Sequence, residues 1–194
     1  MSTFDVRIHR ITIEPHPNAD RLELAVIGGY RCIIGKDQYR TGMLAAYIPE
    51  AAICPEDIIA ELGLEGRLSG KQKNRVKAVR LRGILSQGLV YPLTGKKLKK
   101  ISVSEGDDVM GLLGITKYEP PIPINLAGEA WGAYGATLKY DIENLKRYPD
   151  AFLNGEQVVV TEKLHGTWCC LGLHPDHETP IVTSKGLSAQ GLAL

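Results

Sequence analysis

Residues 4–36 read FDVRIHRITIEPHPNADRLELAVIGGYRCIIGK, and this stretch decides the fold. Apolar residues recur with period two, and the runs are broken by the turn signal PHPNAD (15–20) and by Gly28-Gly29. That is the pattern of half-buried strands joined by short turns. Moving outward, GMLAAYIPEAAICP (42–55) reads as another strand followed by a proline-bounded turn. PEDIIAELGLEG (55–66) reads as a short amphipathic helix ending at glycine. GILSQGLVYPL (83–93) reads as a further short strand, with Gly83 and Gly88 as bends.

About five strands and one helix within roughly 95 residues suit a small Greek-key barrel of the OB type, whose strand face and loops bind oligonucleotides. The charge distribution points the same way. The formal net charge of the 194 residues is +1, but from Gly66 to Lys100 there are 11 Lys or Arg and no Asp or Glu. Such asymmetry fits a polyanionic partner, and the plainer alternative is a solvated basic face. Within KNRVKAVRLRG (73–83), Lys73, Arg75 and Lys77 alternate with Val76 and Ala78; the phase then slips, and Arg80 and Arg82 alternate with Val79 and Leu81. The spacing predicts one long bulged strand, apolar on one face and lined on the other with cations that track a phosphate backbone.

Composition sets the outer bounds. A chain with 44% hydrophobic residues can fill a core, and its length suits one large domain or two small ones. No apolar run reaches the length of a transmembrane helix, and MSTFDVRIHR has no secretory apolar core, so a cytoplasmic protein without membrane contact is expected. Cys32, Cys54, Cys169 and Cys170 form no C-x-x-C pair and suggest neither a zinc site nor a disulfide framework. GRLSGKQ (66–72) fails as a nucleotide-binding loop: the glycine spacing is one short and Gln72 replaces the hydroxyl that would reach magnesium. His174 and His177 in HPDHE read as a hairpin loop rather than a metal site.

After Gly114 the composition shifts. KYEPPIPINLAGEAWGAYG (117–135) is rich in proline and glycine and reads as a linker. The expected organisation is therefore a barrel over 1–114, a linker over 115–135 and a second unit over 136–194 that is too short to close a core of its own. YDIENLKRYPDAF (140–152) reads as a short polar helix ended by Pro149. In VVVTEKLHGTW (158–168) a β-branched run of buried character ends on Lys163, which it would present to a phosphate. A single K-x-x-G has a substantial chance frequency, so its weight comes from context.

That context is a resemblance. TEKLHGT (161–167) is similar to nucleotidyltransferase motif I of the ATP-dependent RNA ligases, in which the lysine becomes a lysyl-AMP. The stretches 13–42 and 79–93, the latter with R-x-R-G-x-x-S-Q-G-L, resemble the N-terminal OB module of the Deinococcus and Naegleria type of RNA ligase. That type places the OB module before the adenylyltransferase domain, the order found here. The same OB stretch also resembles tRNA-binding modules of some aminoacyl-tRNA synthetases.

The resemblance implies a mainly β chain with α+β character: an OB barrel, a linker and the beginning of a nucleotidyltransferase domain. It implies Lys163 as nucleophile, with Glu162, Leu164, His165, Gly166, Thr167 and Lys185 about the nucleotide. It also implies ATP and Mg2+ (or Mn2+) as cofactors, RNA including nicked duplexes as partner, a monomer, and a role in RNA repair. Lys73, Arg75, Lys77, Arg80 and Arg82 are the expected RNA contacts. The chemistry suits the residues: a lysine amine attacks phosphorus only when neutral, and Gly166 lets backbone approach the nucleotide. Two positions depart from the family pattern. Lys185 stands where relatives have arginine, and cannot make its bidentate fork; Trp168 stands where many have asparagine. The family's later motifs, with their metal-binding carboxylates and triphosphate-binding lysines, have no counterpart before Leu194, so a truncated ligase is expected, with no metal ligand in this chain. A non-catalytic RNA- or tRNA-binding OB module with a ligase-like tail is the alternative.

Overall fold

The computed structural model describes residues 4–119, 129–133, 137, 144–152, 154–162, 169–173, 180–184, 187–188 and 190–194. The chain divides into two compact units, one of residues 3–118 with 144–151, the other of the remainder.

The first unit is a barrel. Its first strand bends at Ile11, so that β1 (Ile8–Arg10) and β2 (Thr12–Pro15) enter different sheets. In one sheet β3 (Leu22–Ile27) lies between β2 and β4 (Tyr30–Gly35); in the other β5 (Leu44–Ile48) lies between β1 and β9 (Leu89–Pro92). All four ladders are antiparallel, with Thr12 opposite Val26, Ile27 opposite Tyr30, Ile8 opposite Ala46 and Tyr47 opposite Val90. The seam between β4 and the chain entering β9 is closed by hydrogen bonds. Gln87 N–H donates to the Arg31 carbonyl (2.8 Å), Ile33 N–H to Ser86 Oγ (2.9 Å) and Tyr39 Oη to the Val90 carbonyl (3.0 Å). The strand order is the OB order expected from the sequence.

The β5 sequence LAAYI lacks polar alternation for a physical reason. Ala45 and Tyr47 face the barrel interior with Ile11, Ala25, Ile27, Cys32, Ile34, Tyr39 and Val90. Ala46 and Ile48 face an outer core with Val6, Ile8, Tyr91, Val109 and the helices. A strand covered on both faces reads as continuously apolar. That outer core is roofed by α1 (Glu56–Glu61) and α2 (Met110–Leu113) through Ile58, Ile59 and Leu113. Glu56 and Asp57 sit in the first turn of α1, where acidic groups favour the helix dipole. Asp57 also pairs with Lys97 at 2.9 Å, and that hydrogen bond holds the Asp57 carboxyl below its ordinary range. β10 (Thr116–Lys117) pairs with β6 (Ala52–Ile53). Gly88 is required where it stands: its φ is +92°, and a Cβ there would lie 2.6 Å from the Ile48 carbonyl oxygen.

The short segment Asn144–Ala151 belongs to the barrel unit, although the sequence suggested it as the entry to the second. Asn144 caps a 3-10 turn, Leu145–Arg147, by accepting from Lys146 N–H. Gly29 N–H donates to the Lys146 carbonyl at 2.9 Å, and a Cβ on Gly29 would fall 2.8 Å from Lys146 Cα. Arg147 Nη2 donates to both carboxylate oxygens of the buried Asp5 at 2.6 and 2.5 Å.

Within the second unit, β12 (Cys169–Leu173) and β13 (Pro180–Ser184) form a five-rung antiparallel ladder, and β11 (Trp131–Gly132) pairs with β14 (Leu192–Ala193). Leu194 N–H donates to the Val182 carbonyl, so β14 also adjoins β13. Among the described residues of this unit, Ala133, Ile181 and Ala193 cluster, with Trp131 against them. The expected buried strand at Val158–Val160 is not observed. These residues pair with no strand among the described residues, and their exposures are 53%, 91% and 88%. A β-branched run without a neighbouring ladder has nothing to bury it.

Candidate nucleic-acid interface and lysine segment

The stretch 73–83 is not the one long strand that its alternation predicts. Gly70 and Lys73 have φ of +88° and +53°, which turns the chain before any extended run develops. Val76 then plugs into the outer core instead of alternating. Within 73–83 only Val79–Leu81 (β7) is a strand, and it reverses through Arg82-Gly83 into β8 (Ile84–Ser86). The apolar face foreseen for this strand is not buried: Val79 and Leu81 are each 45% exposed.

The five cations therefore fall into separate places. Lys73 is exposed in a turn, its N–H bonded to the Gly70 carbonyl. Arg75 is engaged: it exchanges both backbone hydrogen bonds with Ser69 at 2.9 Å, and its guanidinium carbon lies 4.1 Å from the Tyr118 ring centroid. Its Nε is buried with no hydrogen-bond partner among the described residues, so it is half-withdrawn from solvent as a packing group. Lys77 is exposed on irregular chain. Arg80 and Arg82 are exposed on the β7–β8 hairpin, Arg80 Nη1 donating to the Gly83 carbonyl at 2.9 Å. Of the later lysines, Lys97 is held by Asp57 and the Leu113 carbonyl. Lys99 and Lys100 are exposed.

Beside the hairpin lies the loop 16–21. His16 is 5% exposed, and its Nδ1 accepts from Asn18 N–H at 3.1 Å. Asn18 Nδ2 donates to the Arg82 carbonyl at 2.9 Å. Sequence reasoning read PHPNAD only as a turn and missed Asn18 as the link between two distant loops. The Gly28-Gly29 doublet was the available signal for the seat of Lys146.

On the same barrel, Tyr30 and Tyr47 stack at 5.2 Å, and His9 meets Tyr47 edge-on at 6.3 Å. Burial lowers the His9 pKa, and Asp5 partly opposes that. Tyr47 Oη and Cys32 Sγ both donate to the Gln87 carbonyl, and burial pushes the Cys32 thiol up to about 12, removing it from thiolate chemistry.

Of the expected nucleotide-site residues, Glu162 alone is described: it is exposed, on irregular chain after Val158–Val160. Lys163, Leu164, His165, Gly166, Thr167 and Lys185 lie outside the described residues, as do His174 and His177. Cys169 and Cys170, opposite Ser184 and Thr183 on the β12–β13 ladder, flank that segment. No three His, Cys, Asp or Glu side chains converge among the described residues, so none of them is assigned to a divalent ion.

The OB-fold domain family matches residues 6–93. Among curated proteins, none matches the chain. Among solved structures, a Naegleria gruberi RNA ligase with pyrophosphate is 30% identical, with a TM-score of 0.74. A mutant of that enzyme with AMP and manganese is 30% identical with a TM-score of 0.75, and another with ATP and manganese is 29% identical with a TM-score of 0.72. The first two matches cover 94% of this chain and 56% of the other, so the chain spans little more than half the length of the ligase it resembles. Residues 6–93 are thus an OB-fold domain, and the chain as a whole resembles in sequence and fold the N-terminal part of the Naegleria-type RNA ligases.

Proposed function

We propose that this protein acts in ATP-dependent RNA ligation, with the barrel unit holding RNA and Lys163 carrying AMP. The observation that supports this best is the likeness to an RNA ligase over 94% of the chain, beside the motif TEKLHGT in the sequence. In the proposed sequence, the neutral Lys163 amine attacks the α-phosphorus of ATP, a P–N bond forms and pyrophosphate leaves. AMP then passes to an RNA 5′-phosphate and frees the lysine. A 3′-hydroxyl attacks that phosphate, the phosphodiester forms and AMP departs. Glu162, Leu164, His165, Gly166, Thr167 and Lys185 are the proposed nucleotide contacts, Gly166 because it leaves room for the ribose or phosphate to approach backbone. Lys73, Lys77, Arg80 and Arg82 are the proposed RNA contacts. Arg75 is left out of the proposed contacts, since its guanidinium lies over Tyr118 and its backbone N–H and carbonyl are both bonded to Ser69.

ATP and a divalent ion, Mg2+ or Mn2+, are the proposed cofactors; the ion would shield the leaving pyrophosphate. A monomer working on RNA in the cytoplasm, in RNA repair and with nicked duplexes among its substrates, completes the reading. No described helix is long and apolar enough to cross a membrane. The test is incubation with α-labelled ATP and magnesium. Label should remain on the protein through denaturation and vanish in both Lys163→Ala and Lys163→Arg, because arginine stays protonated and cannot attack.

One observation favours a second reading, a non-catalytic RNA-binding OB module with a ligase-like tail. Among the described residues, the barrel holds nearly all of the buried apolar side chains, whereas the second unit's core cluster is three residues. RNA binding with no protein-bound label would select that reading.

A further inference from the structure

The connections of an OB barrel between its first and second and between its fourth and fifth strands are where such folds most often grip ligands. Here these connections are the loop 16–21 and the excursion that contains the β7–β8 hairpin, and they are tied together through Asn18 and the Arg82 carbonyl at 2.9 Å. Arg82 and Gly83 form the two-residue tip, with φ of +45° and +87°, while Leu81 and Ile84 pair directly across. Two positive φ values in succession are the signature of a type I′ turn, whose first position favours Asn, Asp or Gly. An arginine there is strained backbone, kept in place by the Asn18 bond and by Arg80 Nη1 on the Gly83 carbonyl.

The flanks of the tip are equally out of place for a solvated turn. Val79, Leu81 and Leu85 are 45%, 45% and 37% exposed, three of the barrel's few exposed large aliphatics gathered on one short hairpin. The hairpin's base is anchored through Ile33 N–H to Ser86 Oγ and its tip through Asn18, while these flanks are left to solvent. Solvation would be better served by polar flanks and an asparagine at the tip. An apolar protein partner would use the aliphatics, but it would gain nothing from 35 residues, Gly66 to Lys100, without one acid.

We infer that the β7–β8 hairpin is the barrel's RNA probe: Arg82 at its strained tip pairs with a phosphate while Val79, Leu81 and Leu85 lie against sugar and base edges. Asn18, held by His16, is the positioning residue that fixes the tip. The inference rests on the RNA-binding part of the proposed function and not on adenylation. It also replaces the idea of a linear row of five cations with a single projecting element.

The turn itself supplies the test. Arg82→Asn and Arg82→Gly install residues that the turn prefers, so melting temperature should hold or rise. Affinity for a fluorescein-labelled RNA, nicked duplex or single strand, should nevertheless fall about fivefold to tenfold near 0.1 M salt. The slope of log K against log salt should flatten by roughly 0.7 to 0.9. Leu81→Ser should weaken binding with the salt slope unchanged, because no counterion is released by an apolar contact. Unchanged affinity and slope in Arg82→Asn would overturn the inference and leave the hairpin as a protein-docking element or a solvated turn. Self-adenylation measured on the same variants keeps the two readings apart. Lost RNA binding in a protein that never takes up AMP removes the ligase and keeps the probe; intact adenylation with unchanged RNA binding does the reverse.

Discussion

The barrel and the second unit are built from similar β-rich sequence, yet they bury it very differently. In the barrel, β5 is covered on both faces and Ile8, Ile11, Ile48 and Tyr91 are fully buried. In the second unit the β12 strand leaves Leu171 and Leu173 at 73% and 68% exposure, and Val159 and Val160 are almost fully exposed. Period-two patterning states which residues want a partner face, not whether one is supplied. Closing a sheet on itself supplies the face in the barrel; among the described residues, the open β12–β13 ladder with β14 beside it does not.

A matched pair of truncations sets the two units against each other with the largest expected effect. Ile48→Ala should cost about 3 kcal/mol, in the range for fully buried aliphatics, and lower the chemical-denaturation midpoint of the barrel. Leu171→Ala should cost less than about 0.5 kcal/mol, as exposed positions do. Comparable losses from the two would show that β12 is covered in solution.

A smaller effect is expected where the segment Asn144–Ala151 closes onto the barrel. Asp5→Ala leaves Arg147 without its carboxylate and should cost about 2 kcal/mol, less than a fully buried pair because the Arg147 side chain is a quarter exposed. Limited proteolysis should then cut near Tyr148 while the rest of the barrel stays intact. Cutting rates equal to those of the unaltered protein would show that the Gly29 and Gln87 contacts to Lys146 suffice.

The smallest expected effect concerns pH. Burial depresses the His9 pKa in the fold, so the folded state prefers the neutral ring. The associated stability is fully present above the unfolded value of about 6.5, and is lost as pH falls through the lower folded value. His9→Gln should therefore flatten the decline in stability below about pH 6.5, read from denaturation midpoints. An identical decline in the variant would place that titration elsewhere.

Much of the barrel was legible because its signals are local. PHPNAD, Gly28-Gly29, the helix 55–66 and the bend at Gly88 each mark a break that the structure keeps. The basic segment was misread because alternation was followed across Val76, a residue buried by a non-local contact with the outer core. The strained turn at Arg82 also runs against residue preference, so no propensity could announce it. The docking of Arg147 on Asp5 spans 142 positions and leaves no periodic trace. At the lysine segment, motif reasoning reached Lys163 and its neighbours, of which Glu162 alone is among the described residues.

In the proposed division of labour the barrel holds RNA and the second unit holds AMP. The most direct measurement takes two variants through both assays, RNA binding over a salt series and protein-bound label from ATP. Lys77→Ala with Arg80→Ala should weaken RNA binding and flatten its salt slope by somewhat under one unit per lost phosphate contact, with label retained. Lys163→Ala should lose the label and keep RNA affinity. RNA binding unchanged in the first variant, or label surviving in the second, would contradict the account.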